Sequence, residues 1–358
     1  VRKKTLDDNG GNLRQVMNFP GTGPFRHVSR KDKEVWIQEK NPNYWNKSLP
    51  YLDRLEIYNL PPFSPELGSA FLSGKIDYGR IMVPVSWRKA KEMPGVTATA
   101  MNQSVIQAYF FNMKRKPFAD PRVRRALHLA TGRLVMVDVV RDTAPMQVGG
   151  FVYPFHEWST PKAELEKRLG YQKDPKAAIQ EAKKLMAAAG YPNGLKNLDF
   201  VVRDLASFKL WAVAIQAMLK DTLNVESNLR VVQTSQWFEE AGSGNFDLAI
   251  SAIVSSLMDP SDYFTAWYGK GGPQNYSGWT NEEFHSLAHN LEREVDENKR
   301  KAMIPKAEQI LENDPPLVPV AWEQIYDAFY NRVRGQNATK FFGIYDVTRW
   351  DTVWMAQS

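Results

Sequence analysis

Apolar residues recur at helical spacing in several segments that start with a polar residue and end near a glycine. In one segment, Val123, Ala126, Leu127 and Ala130 would share one helix face. A polar N-cap followed by proline is typical of a helix start, and glycine is typical of the residue beyond its end. The pattern therefore predicts helices that begin at Ser64-Pro65, Asp120-Pro121, Asp174-Pro175 and, through a capping box, Thr280 to Glu283, with Gly74, Gly132 and Gly190 ending the first three.

Short runs rich in β-branched and aromatic residues lie between these helices. Alternation of such runs with helices favours α/β layers over a β-sandwich. The run from Leu317 to Trp322 is apolar throughout, which is typical of a strand buried on both faces. The other predicted strands are 34–39, 55–60, 105–112, 198–202, 229–232 and 246–254.

Composition narrows the class of protein. A chain of 358 residues can form two lobes or one large domain, and 43% hydrophobic and 24% charged residues are ordinary values for a folded protein. The net charge is +6, and the basic residues are interspersed with acidic ones and form no continuous basic stretch. We therefore expect no nucleic-acid partner. The absence of cysteine excludes disulfides and thiolate chemistry. Val1 is followed by no apolar leader, so we expect that any export signal has been removed or was never part of this fragment.

Known catalytic motifs are missing from the sequence. There is no nucleophile elbow, no phosphate-binding loop and no dinucleotide fingerprint, which disfavours serine hydrolases, kinases and nucleotide hydrolases. His285 and His289 have the i, i+4 spacing of two metal ligands, but no third ligand accompanies them. We therefore expect no catalytic residues, no metal and no cofactor.

Aromatic residues make up 12% of the chain. Most of them are expected in the core. The proline- and glycine-rich segment 144–161 is predicted to be a loop, and it carries Phe151, Tyr153, Phe155 and Trp158. Aromatic side chains on loops are suited to holding a ligand.

Several short segments of the chain form an ordered set. They are 21–25 (GTGPF), 39–45 (EKNPNYW), 49–53 (LPYLD), 71–77 (FLSGKID), 111–112 with 117–127 (PFADPRVRRAL), 182–191, 244–247 (GNFD), 259–260 and 275–279 (NYSGW) with Phe284. In this order, the set resembles the oligopeptide, dipeptide and nickel-binding family (family 5) of solute receptors for ABC importers. Each segment alone is weak evidence, but the set follows the family order over nearly the whole chain.

The resemblance implies a bilobal α/β fold of the periplasmic-binding-protein type (class II). Its two mixed-sheet lobes would be joined by a two-strand hinge, with crossovers at 108–112 and 320–323. Lobe I would comprise 1–110 and 324–358, and lobe II 111–323. Members of the family usually have a longer segment before the residues matching Gly21 to Phe25, so we expect lobe I to be incomplete.

One position bears on the class of ligand. Peptide-binding members have an acidic residue four positions before the proline that matches Pro260, where it pairs with the amino terminus of the peptide. That position is Ser256 here. A buried ammonium without a counter-ion is costly, so the resemblance leaves an amine-blocked or modified peptide and an oligosaccharide as open alternatives. A nickel-type chelate is the third alternative.

The resemblance implies a receptor that captures a solute between its lobes and delivers it to a membrane permease. We expect an exported, periplasmic or surface-anchored monomer that is not an enzyme. The alternatives are a glycoside hydrolase with a pair of carboxylates, or a chaperone-like protein with a broad apolar cleft. The predicted ligand-binding residues are Arg80, Met82, Tyr109, Phe151, Tyr153, Trp237, Ser255, Ser256, Trp267, Asn275 and Tyr276.

Overall fold

The structure is a computed structural model. It describes residues 3–12, 21–61, 64–80, 82–154, 157–255, 257, 259–336, 341–342 and 349–356, with the backbone alone at 206, 263, 341 and 342. Its strands are β1 (Phe25–Lys31), β2 (Val35–Lys40), β3 (Arg54–Tyr58), β4 (Tyr78–Gly79), β5 (Val96–Phe111), β6 (Met146–Gln147), β7 (Leu198–Arg203), β8 (Ser227–Val232), β9 (Leu248–Val254), β10 (Leu317–Tyr330), β11 (Val333–Arg334), β12 (Phe341–Phe342) and β13 (Trp354–Met355).

Helices alternate with these strands along most of the described chain. They are α1 (Lys3–Asp8), α2 (Pro65–Leu72), α3 (Pro84–Glu92), α4 (Lys116–Ala119), α5 (Pro121–Ala130), α6 (Arg133–Val139), α7 (Lys162–Leu165), α8 (Lys176–Ala188), α9 (Ala206–Leu223), α10 (Thr234–Ser243), α11 (Pro260–Ala266), α12 (Glu282–Arg293) and α13 (Glu297–Asn313), with a short 3₁₀ turn at Trp350–Thr352. In the described ranges, none of these helices is both long and apolar enough to cross a bilayer.

The helix starts predicted from capping residues are confirmed for α2 and α5. The Ser64 hydroxyl accepts the Leu67 amide at 3.3 Å, and Asp120 Oδ1 accepts the Arg122 amide at 2.9 Å. Each bond satisfies an amide that the first helical turn leaves without a partner. Asp174 accepts the Lys176 amide at 3.0 Å in the same way at the start of α8.

The predicted capping box at Thr280 is wrong. Asn281 is the N-cap of α12, and its Oδ1 accepts the amide of Phe284 at 3.0 Å. Asn281 is as good a capping residue as threonine and lies one position closer to the apolar stripe. The helix therefore begins at Glu282 rather than directly after Thr280.

The main sheet contains both parallel and antiparallel pairs, as the prediction of mixed sheets requires. Its eight strands follow the order β4-β10-β5-β9-β7-β8, with β12 beside β5 and β6 beside β10. β7 pairs in parallel with β8 and β9, whereas β5 pairs with β9 in antiparallel fashion. Two smaller sheets are formed by β1-β2-β3 and by β11-β13.

The chain divides into two compact units. Unit 1 comprises Val1–Met101, Ile325–Lys340 and Asp346–Ser358, and unit 2 comprises Asn102–Gln324 and Phe341–Tyr345. The chain passes from one unit to the other within β5 and again within β10. The predicted lobe limits at 110 and 324, the closure of two lobes on a solute, and the incompleteness of lobe I stay predictions.

Unit 1 has a small core around α2, α3 and β10. Leu67, Phe71, Met82, Ala90 and Ala328 are buried together there. A cavity of about 560 Å³ borders this core at Leu67, and its wall combines apolar residues such as Leu55 and Val353 with charged ones such as Arg80.

Unit 2 has a core on each face of its sheet. Successive residues of β5 point to opposite faces, so Tyr109 and Phe111 enter one core while Ala108 and Phe110 enter the other. The first core includes Trp211 of α9, and the second includes Trp237 of α10, Phe264 of α11 and Phe284 of α12. The sheet is therefore a rigid platform, buried on both faces, that fixes the residues at the ends of its strands.

Candidate functional site

The carboxyl ends of three parallel strands lie along one edge of the sheet in unit 2. β7 is parallel to both β8 and β9, so the last residues of the three strands share this edge. In open α/β sheets, this edge is where ligands bind. We use the name carboxyl-edge site for five residues at the end of β7, within β9 and in the segment that follows β9: Arg203, Ser251, Ser255, Asp259 and Asp262.

Ser255 follows the last residue of β9 and is 2% exposed. Its amide donates to the Ser104 carbonyl at 3.1 Å, and the Ser104 hydroxyl donates to the Ser255 carbonyl at 2.6 Å. These bonds fix the end of β9 to β5. The Ser255 hydroxyl lies 2.7 Å from Asp262 Oδ2, so the serine orients that carboxylate. The prediction that Ser255 binds a ligand stays a prediction.

Two carboxylates follow β9, and their electrostatic surroundings differ. Asp259 forms an ion pair with Arg300, whose guanidinium lies 5.2 Å from the Trp158 ring centre. Asp262 is partly buried and takes part in none of the ion pairs of the described chain. Its Oδ1 accepts no hydrogen bond there and is not enclosed by protein.

The hydroxyl of Tyr153 is within range of the charges of Asp259 and Asp262. Burial raises the pKa of its hydroxyl, and the charges of Asp259 and Asp262 raise it further. The Tyr153 ring packs edge-on against Trp322 with ring centres 5.9 Å apart. The side chain of Tyr153 is fully buried, and its predicted contact with a ligand stays a prediction.

Arg203 ends β7 and has no carboxylate partner among the described residues. Its guanidinium lies 5.1 Å from the Phe208 ring centre and 5.3 Å from that of Phe238. Nη1 makes a long hydrogen bond of 3.4 Å to Ser251 Oγ, and Nη2 donates no hydrogen bond to a described residue and is not enclosed. Burial lowers the pKa of Arg203. A cation held in this way is suited to an anionic group from outside the chain.

The environment of Arg203 differs from that of other buried or partly buried arginines in unit 2. Cation–π contacts with two phenylalanines compensate only part of the cost of removing a guanidinium from water. The buried Arg133 also lacks an acidic partner, but it donates to the backbone carbonyls of Pro319 and Gly170. Four other arginines of the unit have acidic partners within it. These ion pairs are Arg124–Asp314, Arg168–Glu312, Arg230–Asp199 and Arg300–Asp259.

Three of the predicted ligand-binding residues are brought together with Phe110 in one aromatic cluster. Tyr276 lies 5.7 Å from Trp237 and 6.0 Å from Trp267, measured between ring centres. Phe110 stacks on Trp267 at 5.8 Å. Trp237 and Trp267 are buried, whereas Tyr276 is partly exposed. Trp237 also contacts Phe238, which connects the cluster to Arg203.

Several of the residues predicted to bind a ligand instead contact other residues of the fold, and these contacts account for their positions. The Tyr109 hydroxyl lies 2.9 Å from Thr131 Oγ1, inside the core. Phe151 is fully buried and stacks on His128 with ring centres 5.5 Å apart. Asn275 donates to the carbonyls of Gly269 and Trp279 and accepts from the Trp279 amide, so it fixes its own loop. These contacts favour structural roles for Tyr109, Phe151 and Asn275.

The remaining predicted residues lie in unit 1 or outside the described chain. Met82 is fully buried, and its amide donates to the Tyr326 carbonyl at 2.9 Å. Arg80 is partly buried and lines the cavity of unit 1. Ser256 and Phe155 lie outside the described residues. Ligand contacts by Arg80, Met82 and Ser256 therefore stay predictions.

Sequence reasoning missed Arg203 and Asp262. The signal for Arg203 was a charged residue directly after the apolar pair Val201-Val202, because a charge that ends a buried strand lies at the edge of the sheet. Asp262 follows the proline that begins α11, where an acidic residue ordinarily reads as a favourable partner of the helix dipole.

His285 and His289 do not form part of a metal site in the described residues. No group of three or more histidine, aspartate or glutamate side chains there is arranged to hold a metal ion. His285 is partly buried beside Trp279, and His289 is exposed on the same helix.

Glu323 and Gln107 form a second polar group in unit 2, on β10 and β5. Gln107 is buried and its amide donates to the partly buried carboxyl of Glu323. Burial raises the pKa of Glu323 to about 7, although the Gln107 hydrogen bond acts in the opposite direction. Near neutral pH, Glu323 is therefore divided between its neutral and charged forms.

The raised pKa of Glu323 predicts a specific pH dependence of folding. Between the unfolded value of about 4.3 and the folded value of about 7, the folded state holds a proton that the unfolded state releases. The neutral form of Glu323 therefore stabilises the folded state relative to the charged form. This stabilisation is complete below pH 4.3 and is lost as the pH rises through 7. Replacing Glu323→Gln should therefore reduce the loss of unfolding free energy between pH 4.5 and 8 by up to about 3 kcal/mol.

Urea unfolding at pH 4.5 and pH 8 measures this difference. The control is Glu164→Gln, which removes an exposed glutamate of α7 and should leave the wild-type pH dependence unchanged. Burial also raises the pKa of Glu308 to about 7. Part of the decrease in unfolding free energy between pH 4.5 and 8 should therefore remain in the Glu323→Gln variant. If wild type and Glu323→Gln lose the same unfolding free energy between pH 4.5 and 8, Glu323 is charged in the folded protein at pH 5 to 7.

Comparison with known proteins gives consistent results. A family profile described as bacterial extracellular solute-binding proteins, family 5 middle region, matches residues 4–275. The dipeptide-binding protein DppE of Bacillus subtilis is 25% identical over 340 residues, which cover 94% of this chain and 60% of that protein. The periplasmic oligopeptide-binding protein OppA of Salmonella typhimurium is 24% identical over 89% of this chain and 58% of that protein.

A solved structure supports the fold. The murein tripeptide-binding protein MppA of Escherichia coli superposes with a TM-score of 0.80 at 22% identity, covering 99% of this chain and 68% of that one. The mixed α/β fold of periplasmic binding proteins is thus confirmed over the part that is present. The chain spans about 60% of the length of the curated relatives that it matches.

Proposed function

The chain belongs to the bacterial extracellular solute-binding proteins of family 5, and we propose that it is the solute receptor of an ABC importer with a short peptide as its ligand. Proteins of this family are binding receptors and not enzymes. In the proposal, the receptor works outside the cytoplasm and passes its solute unchanged to the permease subunits of the importer. The relatives reported above are a dipeptide-binding and an oligopeptide-binding protein, which favours a peptide over an oligosaccharide as the ligand of this chain.

The observation that carries this proposal is the uncompensated guanidinium of Arg203. A peptide has a terminal carboxylate, and neutral oligosaccharides have none. Nη1 and Nη2 of one arginine can donate two parallel hydrogen bonds to a carboxylate, and such charge-assisted bonds are about twice as strong as neutral ones. We propose that Arg203 binds the carboxylate of the peptide, while the neighbouring aromatic cluster provides an apolar wall.

Isothermal titration calorimetry with peptides of two to five residues tests this function. Each peptide is used as the free acid and as the carboxyl-terminal amide, and cello-oligosaccharides serve as the alternative ligand. We expect the free acid to bind at least about 10-fold more tightly than the amide, and the oligosaccharides not to bind. Arg203→Gln should lower affinity for the free acid by about 10-fold or more and leave that for the amide unchanged.

Arg141→Gln is the matched control because this arginine is 68% exposed in the turn after α6 and pairs only with nearby aspartates. Circular dichroism checks that both variants are folded. Binding of oligosaccharides without binding of any peptide would overturn the proposed ligand class. Equal affinity of wild type for acid and amide would remove Arg203 from the site but leave peptide binding intact.

A further inference from the structure

We propose that Phe238 and Leu205 contact the last side chain of the peptide and make the receptor selective for peptides that end in a large apolar residue. This inference rests on the proposed function, because it starts from a carboxylate bound by Arg203. The charge of that arginine alone would accept any free carboxyl terminus, and the two apolar residues add a preference among them. All three residues belong to unit 2.

The guanidinium of Arg203 contacts two phenylalanine rings that differ in exposure. Its Cζ is 5.1 Å from the ring centre of Phe208 on α9 and 5.3 Å from that of Phe238 on α10. Phe208 is 4% exposed and belongs to the core, whereas Phe238 is 45% exposed. A carboxylate that binds this guanidinium therefore has the open ring of Phe238 as a neighbour.

Leu205 provides a second open apolar surface beside the same arginine. Its amide donates to the Arg203 carbonyl at 2.7 Å, and its side chain is 42% exposed. It precedes Phe208 by three residues, and residues with this spacing are neighbours on a helix surface. Single exposed apolar residues are ordinary, but two of them beside a cation form an amphipathic surface.

The position of Leu205 in α9 offers no local reason for a leucine. It is the N-cap residue of this helix, and its side chain makes no capping hydrogen bond. Leucine is among the poorest N-cap residues, whereas serine, aspartate or asparagine would stabilise the helix start. A residue that departs from a local rule without a structural gain is typical of a functional site.

Asp204 fixes the two apolar residues relative to each other. Its amide donates to the Val232 carbonyl at 2.8 Å, and its carboxylate accepts Gln233 Nε2 at 2.9 Å. Gln233 is the N-cap of α10, so these bonds join the helix that carries the exposed ring to the segment that follows β7. The same carboxylate pairs with Lys209 at 2.7 Å. The subsite is therefore formed before a ligand arrives, which lowers the entropy cost of binding.

The chemistry of a peptide terminus matches this arrangement. The last side chain and the terminal carboxylate branch from the same Cα, so a carboxylate on Arg203 places that side chain beside Phe238 and Leu205. Contact between apolar groups removes both from water and is favourable. A terminal asparagine placed there would lose hydrogen bonds to water without gaining partners from these two residues.

Calorimetry with matched peptides tests the inference. Peptides of two to five residues are used as free acids that differ only in the last residue, which is leucine, phenylalanine or asparagine. We expect wild type to bind the leucine and phenylalanine forms at least about 10-fold more tightly than the asparagine form. Phe238→Ala and Leu205→Asn should each reduce this ratio to about threefold or less, and Phe238→Leu should retain most of it.

A second measurement separates side-chain contact from support of the arginine. Phe238→Ala should keep the preference of wild type for the free acid over the carboxyl-terminal amide, because the Nη donors of Arg203 remain. If Phe238→Ala loses the preference for the acid but keeps that for leucine, the ring only positions Arg203 and the inference is overturned.

The control is Val295→Ala, which shortens a 95% exposed apolar side chain between α12 and α13 and should behave as wild type. Equal binding of the leucine and asparagine forms by wild type would overturn the inference. So would a 10-fold preference that survives in both Phe238→Ala and Leu205→Asn. In these cases the peptides bind and the proposed function stands. If wild type binds none of the peptides, the proposed function fails together with the inference.

Discussion

Replacing Arg133→Met should lower the free energy of unfolding by about 3 to 5 kcal/mol. Arg133 is 1% exposed and has no acidic partner in the described chain. Its donors instead reach the carbonyls of Pro319 at 2.9 Å and Gly170 at 2.8 Å, and Nδ1 of His128 at 3.0 Å. Removing the guanidinium leaves these buried acceptors without a donor, and each such group costs about 1 to 3 kcal/mol.

The loss should extend beyond the arginine itself. Arg133 connects β10 to α5 and to the loop that contains Gly170, and its guanidinium lies 4.2 Å from the Tyr171 ring centre. Lysine has fewer donors and no planar fork, so Arg133→Lys should restore only part of the stability. Urea unfolding followed by circular dichroism measures both variants, with Arg141→Met as the exposed control. A loss below about 1 kcal/mol for Arg133→Met would contradict this account.

The second large effect is expected at the ion pair of Arg124 and Asp314. Arg124 is 4% exposed and also donates to the carbonyls of Phe118 and Pro315. Burial lowers its pKa, and the charge of Asp314 opposes that change. Asp314→Leu leaves the buried guanidinium without a counter-ion and should cost about 3 to 5 kcal/mol. It also removes the acceptor of the Trp279 indole N–H.

A double-mutant cycle separates the charge effect from the loss of packing. Arg124→Met combined with Asp314→Leu replaces both charges by apolar groups, so the double variant should be more stable than Asp314→Leu alone. Urea unfolding of the four proteins gives the coupling energy. If the loss of unfolding free energy in the double variant equals the sum of the losses in the two single variants, the two residues do not act as a buried pair.

The sequence predicted the elements better than it predicted the side chains at the site. Capping residues at Ser64 and Asp120 act locally, within three residues along the chain, so a single sequence reveals them. Asn281 shows the limit of this reasoning, because two adjacent capping residues compete and the helix takes one of them. The apolar run from Leu317 is a strand, but β10 continues to Tyr330 through residues of mixed polarity.

Site residues depend on which face of a strand each side chain takes. Tyr109 and Phe110 are neighbours in sequence, yet Phe110 joins the aromatic cluster while the Tyr109 hydroxyl bonds to Thr131 in the opposite core. The register that decides this is set by pairing with β9, which is distant in the sequence. Arg203 and Asp262 stand out only by the partners that they lack, and pairing across the fold cannot be read from spacing along the chain.

Native mass spectrometry of the 358-residue chain with a mixture of two- to five-residue peptides tests the central claim most directly. The claim is that the chain binds a peptide and releases it unaltered. We expect one-to-one adducts whose released ligands have the masses of the added peptides, enriched in those with a free carboxyl terminus. The absence of any peptide adduct, or the release of shortened peptides, would contradict it.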